Sequence, residues 1–167
     1  MRAVIFKIAD RAYALDINQV REVTRLKKIT PVPDAAGFVE GVISLRGKVA
    51  TLINLRSKLG FEKIPLNRSM RIIVTQIEGR IIGMIADSVT EVVDIQKENV
   101  TEPDKALSEA QYLTGIAKIG NQIILVANVE KLLSGEDKAS IDSVRAKVEV
   151  RRKTDTNHES RTTNDEK

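Results

Sequence analysis

The chain has 167 residues, 42% hydrophobic and 30% charged, with 27 lysines and arginines against 23 acids and a net charge of +4. It lacks cysteine and tryptophan and has one histidine, which excludes disulfides, thiolate nucleophiles and cysteine-based metal sites. No apolar run reaches the length of a membrane span and the N-terminus has no signal-peptide layout, so the expectation is a cytoplasmic protein built as one domain, or two small ones sharing a core.

Residues 4–15, VIFKIADRAYAL, form two apolar, β-branched runs around the turn ADR, and predict a β-hairpin. INQVREV follows at 17–23, then a polar connector, KKITPVPDAAG, in which Pro31 and Pro33 argue against helix. The stretch GVISLRGKVATLINL at 41–55 predicts a second hairpin turning on Arg46-Gly47. Asn54 then stands before LRSKL and Gly60, the pattern of a helix N-cap and a C-terminal stop around a single helical turn.

The remainder repeats this plan. IIVTQIEGRIIG at 72–83 echoes the first hairpin, with EGR as its turn, and ADSVTEV echoes INQVREV, so that Val20, Glu22 and Val23 match Val89, Glu91 and Val92, each 69 further on. A second proline-containing connector carries Pro103. GIAKIGNQIILVANVEKLLSG then echoes the second hairpin at an offset of 74, matching Gly41 to Gly115 and Asn54 to Asn128. The continuously apolar QIILVAN predicts a strand covered on both faces. The expected organisation is a domain over 1–135, with subdomains of about 1–66 and 67–135. Ile141, Val144 and Val148 give one narrow apolar face to a short helix over 136–150. The polar stretch 151–167 is expected to be disordered, because it has too little apolar surface to offset its ordering entropy.

Charge is uneven along these units: residues 1–66 carry 12 lysines and arginines against 6 acids (+6), residues 67–133 carry 7 against 9 (−2), and 134–167 carry 8 against 8. Such polarity suits steering of a partner or docking between unlike halves.

Catalytic chemistry finds no support. The one histidine, His158, lies in the polar tail, leaving no triad and no histidine-based metal site. GVISLRGKV fails as a phosphate loop, with five residues between Gly41 and Gly47 and Val49 where Ser or Thr must hold magnesium. No cofactor or metal is expected. Two N-x-S/T matches, at Asn67 and Asn99, are read as coincidence. Nucleic-acid binding has basic RLKK and RRK in its favour, but barrels that bind single strands stack bases on aromatics. Here Phe6, Tyr13, Phe38 and Tyr112 occupy apolar-pattern positions that predict core, and only Phe61 is read as free.

The repeat also separates fold from function. Features needed by the fold recur in both copies; Arg46 does not, its counterpart being Gly120. A large, always-charged donor therefore stands where the fold accepts glycine.

Taken in order, YALDINQVREV, ITPVP, FVEGVISLRGKVATLINLR, IIGMIADSVTEVV, YLTGI and ILVANVEKLL resemble the CheW family of bacterial chemotaxis coupling proteins, from about Val4 to Leu133. Asn54 replaces the family's usual aspartate, and a proline often found at 50 or 51 is absent. The resemblance implies an all-β fold of two SH3-like five-stranded β-barrels sharing a core. It implies a non-catalytic adaptor, recruited to membrane-associated receptor arrays without inserting in the membrane. Its partners would be the histidine kinase CheA, whose regulatory domain shares the fold, and the helical cytoplasmic tips of chemoreceptors, with no nucleic acid. Val20, Glu22 and Arg46 match positions at or beside the receptor-binding groove, with Glu22 expected to pair with Arg46; Gly41 and Val42 are candidates for kinase contact. A nucleic-acid-binding double barrel, and the same module fused to a receiver or kinase, are the rival readings.

Overall fold

The structure is a computed structural model describing residues 1–104 and 110–149; the tail expected to be disordered, 151–167, lies outside the described residues. Among the described residues eleven strands are formed, β1 (Arg2–Ile8), β2 (Arg11–Asp16), β3 (Glu22–Arg25), β4 (Val39–Leu45), β5 (Lys48–Asn54), β6 (Arg71–Ile77), β7 (Arg80–Ala86), β8 (Ser88–Asp94), β9 (Val100–Thr101), β10 (Leu113–Ile119) and β11 (Gln122–Ala127). Short helices α1 (Leu55–Lys58) and α2 (Val129–Leu132) follow β5 and β11, and a longer one, α3, runs over 135–149. No helix among the described residues is long and apolar enough to cross a membrane.

The predicted hairpins are all present, but they do not stay with their own halves. One sheet runs β8-β1-β2-β11-β10-β9 and the other β3-β6-β7-β5-β4. Each first hairpin inserts between strands of the opposite copy: β1–β2 sits between β8 and β11, and β6–β7 between β3 and β5. The insertions are sealed by parallel ladders, Ile124 to Ala127 against Ala12 to Leu15, and Thr51 to Asn54 against Ile82 to Ile85. The two sheets follow one plan, with β9 of the six-stranded sheet answered in the other by the single bridge Thr30 to Val42.

The expectation of two five-stranded barrels therefore holds as two matched sheets, of six and five strands. Among the described residues no ladder joins β8 to β9 or β3 to β4 to close either one. Side chains alternate across the sheets. One face of each contributes to a shared core containing Phe6, Tyr13, Leu15, Ile53, Ile73 and Met84, while the other face packs a private cluster, around Ala3, Ile5 and Ile124 in one sheet and Ile43, Leu52 and Ile72 in the other. Strands apolar on both faces read as continuous hydrophobic runs. β11 departs from its expected cover at the hairpin tip, where Ile123 is 62% exposed.

Both asparagines cap helices. Asn54 Oδ1 accepts from the N–H groups of Arg56 (3.0 Å) and Ser57 (3.5 Å), and Asn128 Oδ1 accepts from that of Glu130 at 2.9 Å. Phe61, expected to be free, packs on the shared core beneath the Arg11 guanidinium, 5.3 Å from its ring centre. Helix α3 buries Ile141 and Val144 in the same core. Its polar side is pinned by three ion pairs: Lys58 to Asp137 (2.6 Å), Arg80 to Asp142 (2.7 Å) and Lys138 to Glu78 (2.8 Å).

Candidate functional site

The turn between β4 and β5 has positive φ at both central residues, +50° at Arg46 and +80° at Gly47, the geometry that matches the twist of a tight hairpin. Left-handed backbone at a residue with a Cβ, such as arginine, costs about 1–2 kcal/mol relative to glycine. The equivalent turn of the other copy has glycine, Gly120, at φ +60°. Arg46 is thus held against a conformational preference that glycine would satisfy.

Its guanidinium reaches out of the turn to Glu22 at the start of β3, Nη2 to Oε2, 3.3 Å. The arginine side chain is 85% exposed and the glutamate 30%. The expected pair is formed, across 24 residues of sequence.

This pair stands at one rim of a groove crossing the hairpin-tip end of the five-stranded sheet. The groove's apolar lining is Leu45, Val74 and Ile81; the first two are buried in the private cluster of this sheet, so half-buried Ile81 presents most of the apolar surface, and Arg21 and Lys48 stand beside it. The groove continues past Gln76 and Gly79 to the last turns of α3, where Arg145 and Val148 form its far wall. Arg21 donates to Gln76 Oε1 at 2.9 Å. Sequence reading had no local signal for Arg21, Lys48, Ile81 or Arg145, which only the parallel pairing of β5 with β7 and the docking of α3 bring to one place.

The other candidate positions, Val20, Gly41 and Val42, are not among the residues lining this groove. Val20 is half-buried against the shared core, its N–H donating to Ile17 O at 3.1 Å. Gly41 and Val42 are buried. Gly41 sits at an irregularity in the β4–β5 register, with φ +148°, and a Cβ there would lie 2.2 Å from the Thr30 carbonyl oxygen. Thr30 also exchanges backbone hydrogen bonds with Val42, both at 2.9 Å. Gly115 faces the equivalent approach, from Val100 and Thr101, which is why the glycine recurs.

Asn54 has a further role that explains its departure from aspartate. Its Nδ2 donates to Glu40 Oε1 at 2.9 Å, a carboxylate that also pairs with Lys63 at 2.8 Å. A carboxylate at position 54 would face Glu40 as a like charge.

A model of the CheW-like domain matches residues 2–137. The chain belongs to the CheW family. It is 30% identical over 143 residues to a chemotaxis protein CheW of Klebsiella aerogenes, covering 84% of this chain and 86% of that one. It is 33% identical over 129 residues to one from Helicobacter pylori, covering 77% and 78%. A crystal structure described as the scaffolding protein TtCheW of Thermoanaerobacter tengcongensis superposes with a TM-score of 0.75 at 33% identity, over 81% of this chain and 95% of that one. Membership of the CheW family makes this chain a non-catalytic adaptor of chemotaxis signalling.

Proposed function

We propose that this adaptor couples the cytoplasmic tips of chemoreceptors to the kinase CheA, within arrays assembled at the membrane, and that the Glu22–Arg46 pair shapes the surface the receptor meets. The observation that carries the reading is Arg46 itself: an exposed, ion-paired arginine in left-handed backbone, where the matching turn has glycine. Its pair lies beside an apolar floor of a kind suited to a helix laid in a groove. Val20, half-buried just before Arg21, is assigned to the same receptor-facing surface. Gly41 and Val42, being buried, would act on kinase binding by setting the path of β4.

Each sheet, with a private cluster on the face away from the shared core, is read as curling into an SH3-like barrel. Charge follows the sheets rather than the sequence halves. Residues 17–86, which include the five-stranded sheet, hold 12 basic residues against 5 acids (+7), while 1–16 and 87–133 hold 7 against 10 (−3). That polarity favours head-to-tail pairing with a domain of similar fold, a heterologous contact that can close into rings.

The test is CheA autophosphorylation with receptor-bearing membranes, with and without this protein. Strong activation by the wild type, lost with folded Arg46→Glu, is expected. No effect with matched kinase and receptor would send the search to an unknown ligand.

A further inference from the structure

The groove's charges do not cancel. Arg46 is neutralised by Glu22 at 3.3 Å and Arg145 by Glu149 at 3.5 Å. Arg21 meets only the neutral Gln76, and Lys48 has no polar partner among the described residues. Two uncompensated cations therefore stand beside one apolar floor, both exposed. Neither recurs: the residues matching Arg21 and Lys48 in the second copy are Thr90 and Gln122.

We propose that the partner seated here is a helix presenting carboxylates to Arg21 and Lys48, on the same face as an apolar side chain that packs on the half-buried Ile81. Residues three and four apart share a helix face, so a short acidic-apolar pattern supplies all three contacts. A continuous phosphate surface suits the groove less well, because Glu22 and Glu149 stand at its two rims and would face each passing phosphate as like charges. The inference rests on the receptor-coupling reading above and adds the chemistry of the partner.

The probe is a soluble helical-hairpin fragment of a chemoreceptor tip, labelled for anisotropy and titrated with full-length protein at low and high salt. Arg21→Gln and Lys48→Gln should each weaken binding about two- to five-fold at low salt, the effect of one exposed ion pair. The loss should shrink at high salt. Changing the hairpin's exposed glutamates to glutamine removes both pairs, so it should cost about the product of the two factors and make both protein variants neutral, as expected for partners in a mutant cycle. Normal hairpin binding that ignores salt and both variants would overturn this inference and leave the coupling function standing. No hairpin binding by wild type would overturn both. Binding of phosphatidylglycerol vesicles or duplex DNA that needs Arg21 and Lys48, with hairpin binding indifferent to them, would replace the acidic helix by a phosphate surface.

Discussion

Replacing Arg46 by glycine separates what the turn needs from what a partner needs. Three contributions change. Relief of left-handed backbone stabilises the variant by about 1–2 kcal/mol. The freer unfolded chain of a glycine variant offsets about 0.4–1 kcal/mol of that. Loss of the pair to Glu22 costs about 0–1 kcal/mol, because the arginine is 85% exposed and well screened. The sum runs from about 1 kcal/mol unfavourable to about 1.6 kcal/mol favourable, corresponding to a melting shift of no more than about 6 °C in a chain of this size. Thermal unfolding of Arg46→Gly, followed by circular dichroism, should therefore stay within that shift of the wild type, while kinase activation in the reconstituted receptor mixture falls sharply. Destabilisation beyond about 2 kcal/mol would show that Arg46 is part of the fold. Full activation by a stable variant would show that the arginine serves neither fold nor coupling.

Gly41→Ala should destabilise by about 3 kcal/mol, since its Cβ meets the Thr30 carbonyl at 2.2 Å and the backbone is held at φ +148°; urea denaturation reads it, and Gly37→Ala, with nothing within 4 Å, is the control. Arg56→Ala should cost about 1–3 kcal/mol in the same assay. Its Nε and Nη2 grip Asp87 at 2.9 and 2.6 Å, and that carboxylate also accepts from Ala9 N–H at 2.8 Å; with the pair 15% and 20% exposed, the loss falls below that of a fully buried pair. Asn54→Asp should lower stability at neutral pH by placing a second carboxylate against Glu40, and Asn54→Asp with Glu40→Gln should restore most of it. Acid should release α3. Lys138 and then Arg80 hold the Glu78 carboxyl below its ordinary range, and Arg80 does so for Asp142. For Asp137, burial pulls upward, but Lys58 and the Ser134 N–H outweigh it and the net shift is also downward. Folded-state values below the unfolded ones mean that this stabilisation is complete above the ordinary carboxylate range and is lost as pH falls through the depressed values. Hydrogen-exchange protection of α3 amides, taken relative to the intrinsic rate at each pH, should therefore fall on acidification below about pH 4 before that of the sheets does. Protection of α3 unchanged until the sheets themselves unfold would refute this acid release of α3.

Much of the candidate site was legible because its parts are local. The Arg46-Gly47 turn, the Asn54 and Asn128 caps and the apolar face of α3 each depend on residues within a few positions, and the repeat distinguished Arg46 from features that serve the fold. Val42 and Gly41 were also visible, but burial gives them a packing role that sequence could not separate from contact. Phe61 was misread as free because a cation from β2, Arg11, covers its ring from 50 residues away. Arg21 and Lys48 carried no signal at all; each is an ordinary surface cation until the sheet sets them in one groove with opposing carboxylates elsewhere engaged.

By itself the sequence determined the hairpins, their turns, the caps and the two-copy plan, because backbone preferences and the two-residue alternation of strands act over short distances. Which sheet each hairpin joins was decided only in three dimensions. Both copies carry the same alternating apolar runs, so β1–β2 and β6–β7 could satisfy either set of neighbours on pattern alone. The choice rests on parallel ladders between residues as far apart as Ala12 and Ile124 and on a core that both sheets must fill together. The same exchange turned a charge difference between sequence halves into a larger one between sheets. It also assembled the groove, because a parallel partner brings the Arg46 turn beside the tip of the other copy's hairpin, a placement no local pattern encodes.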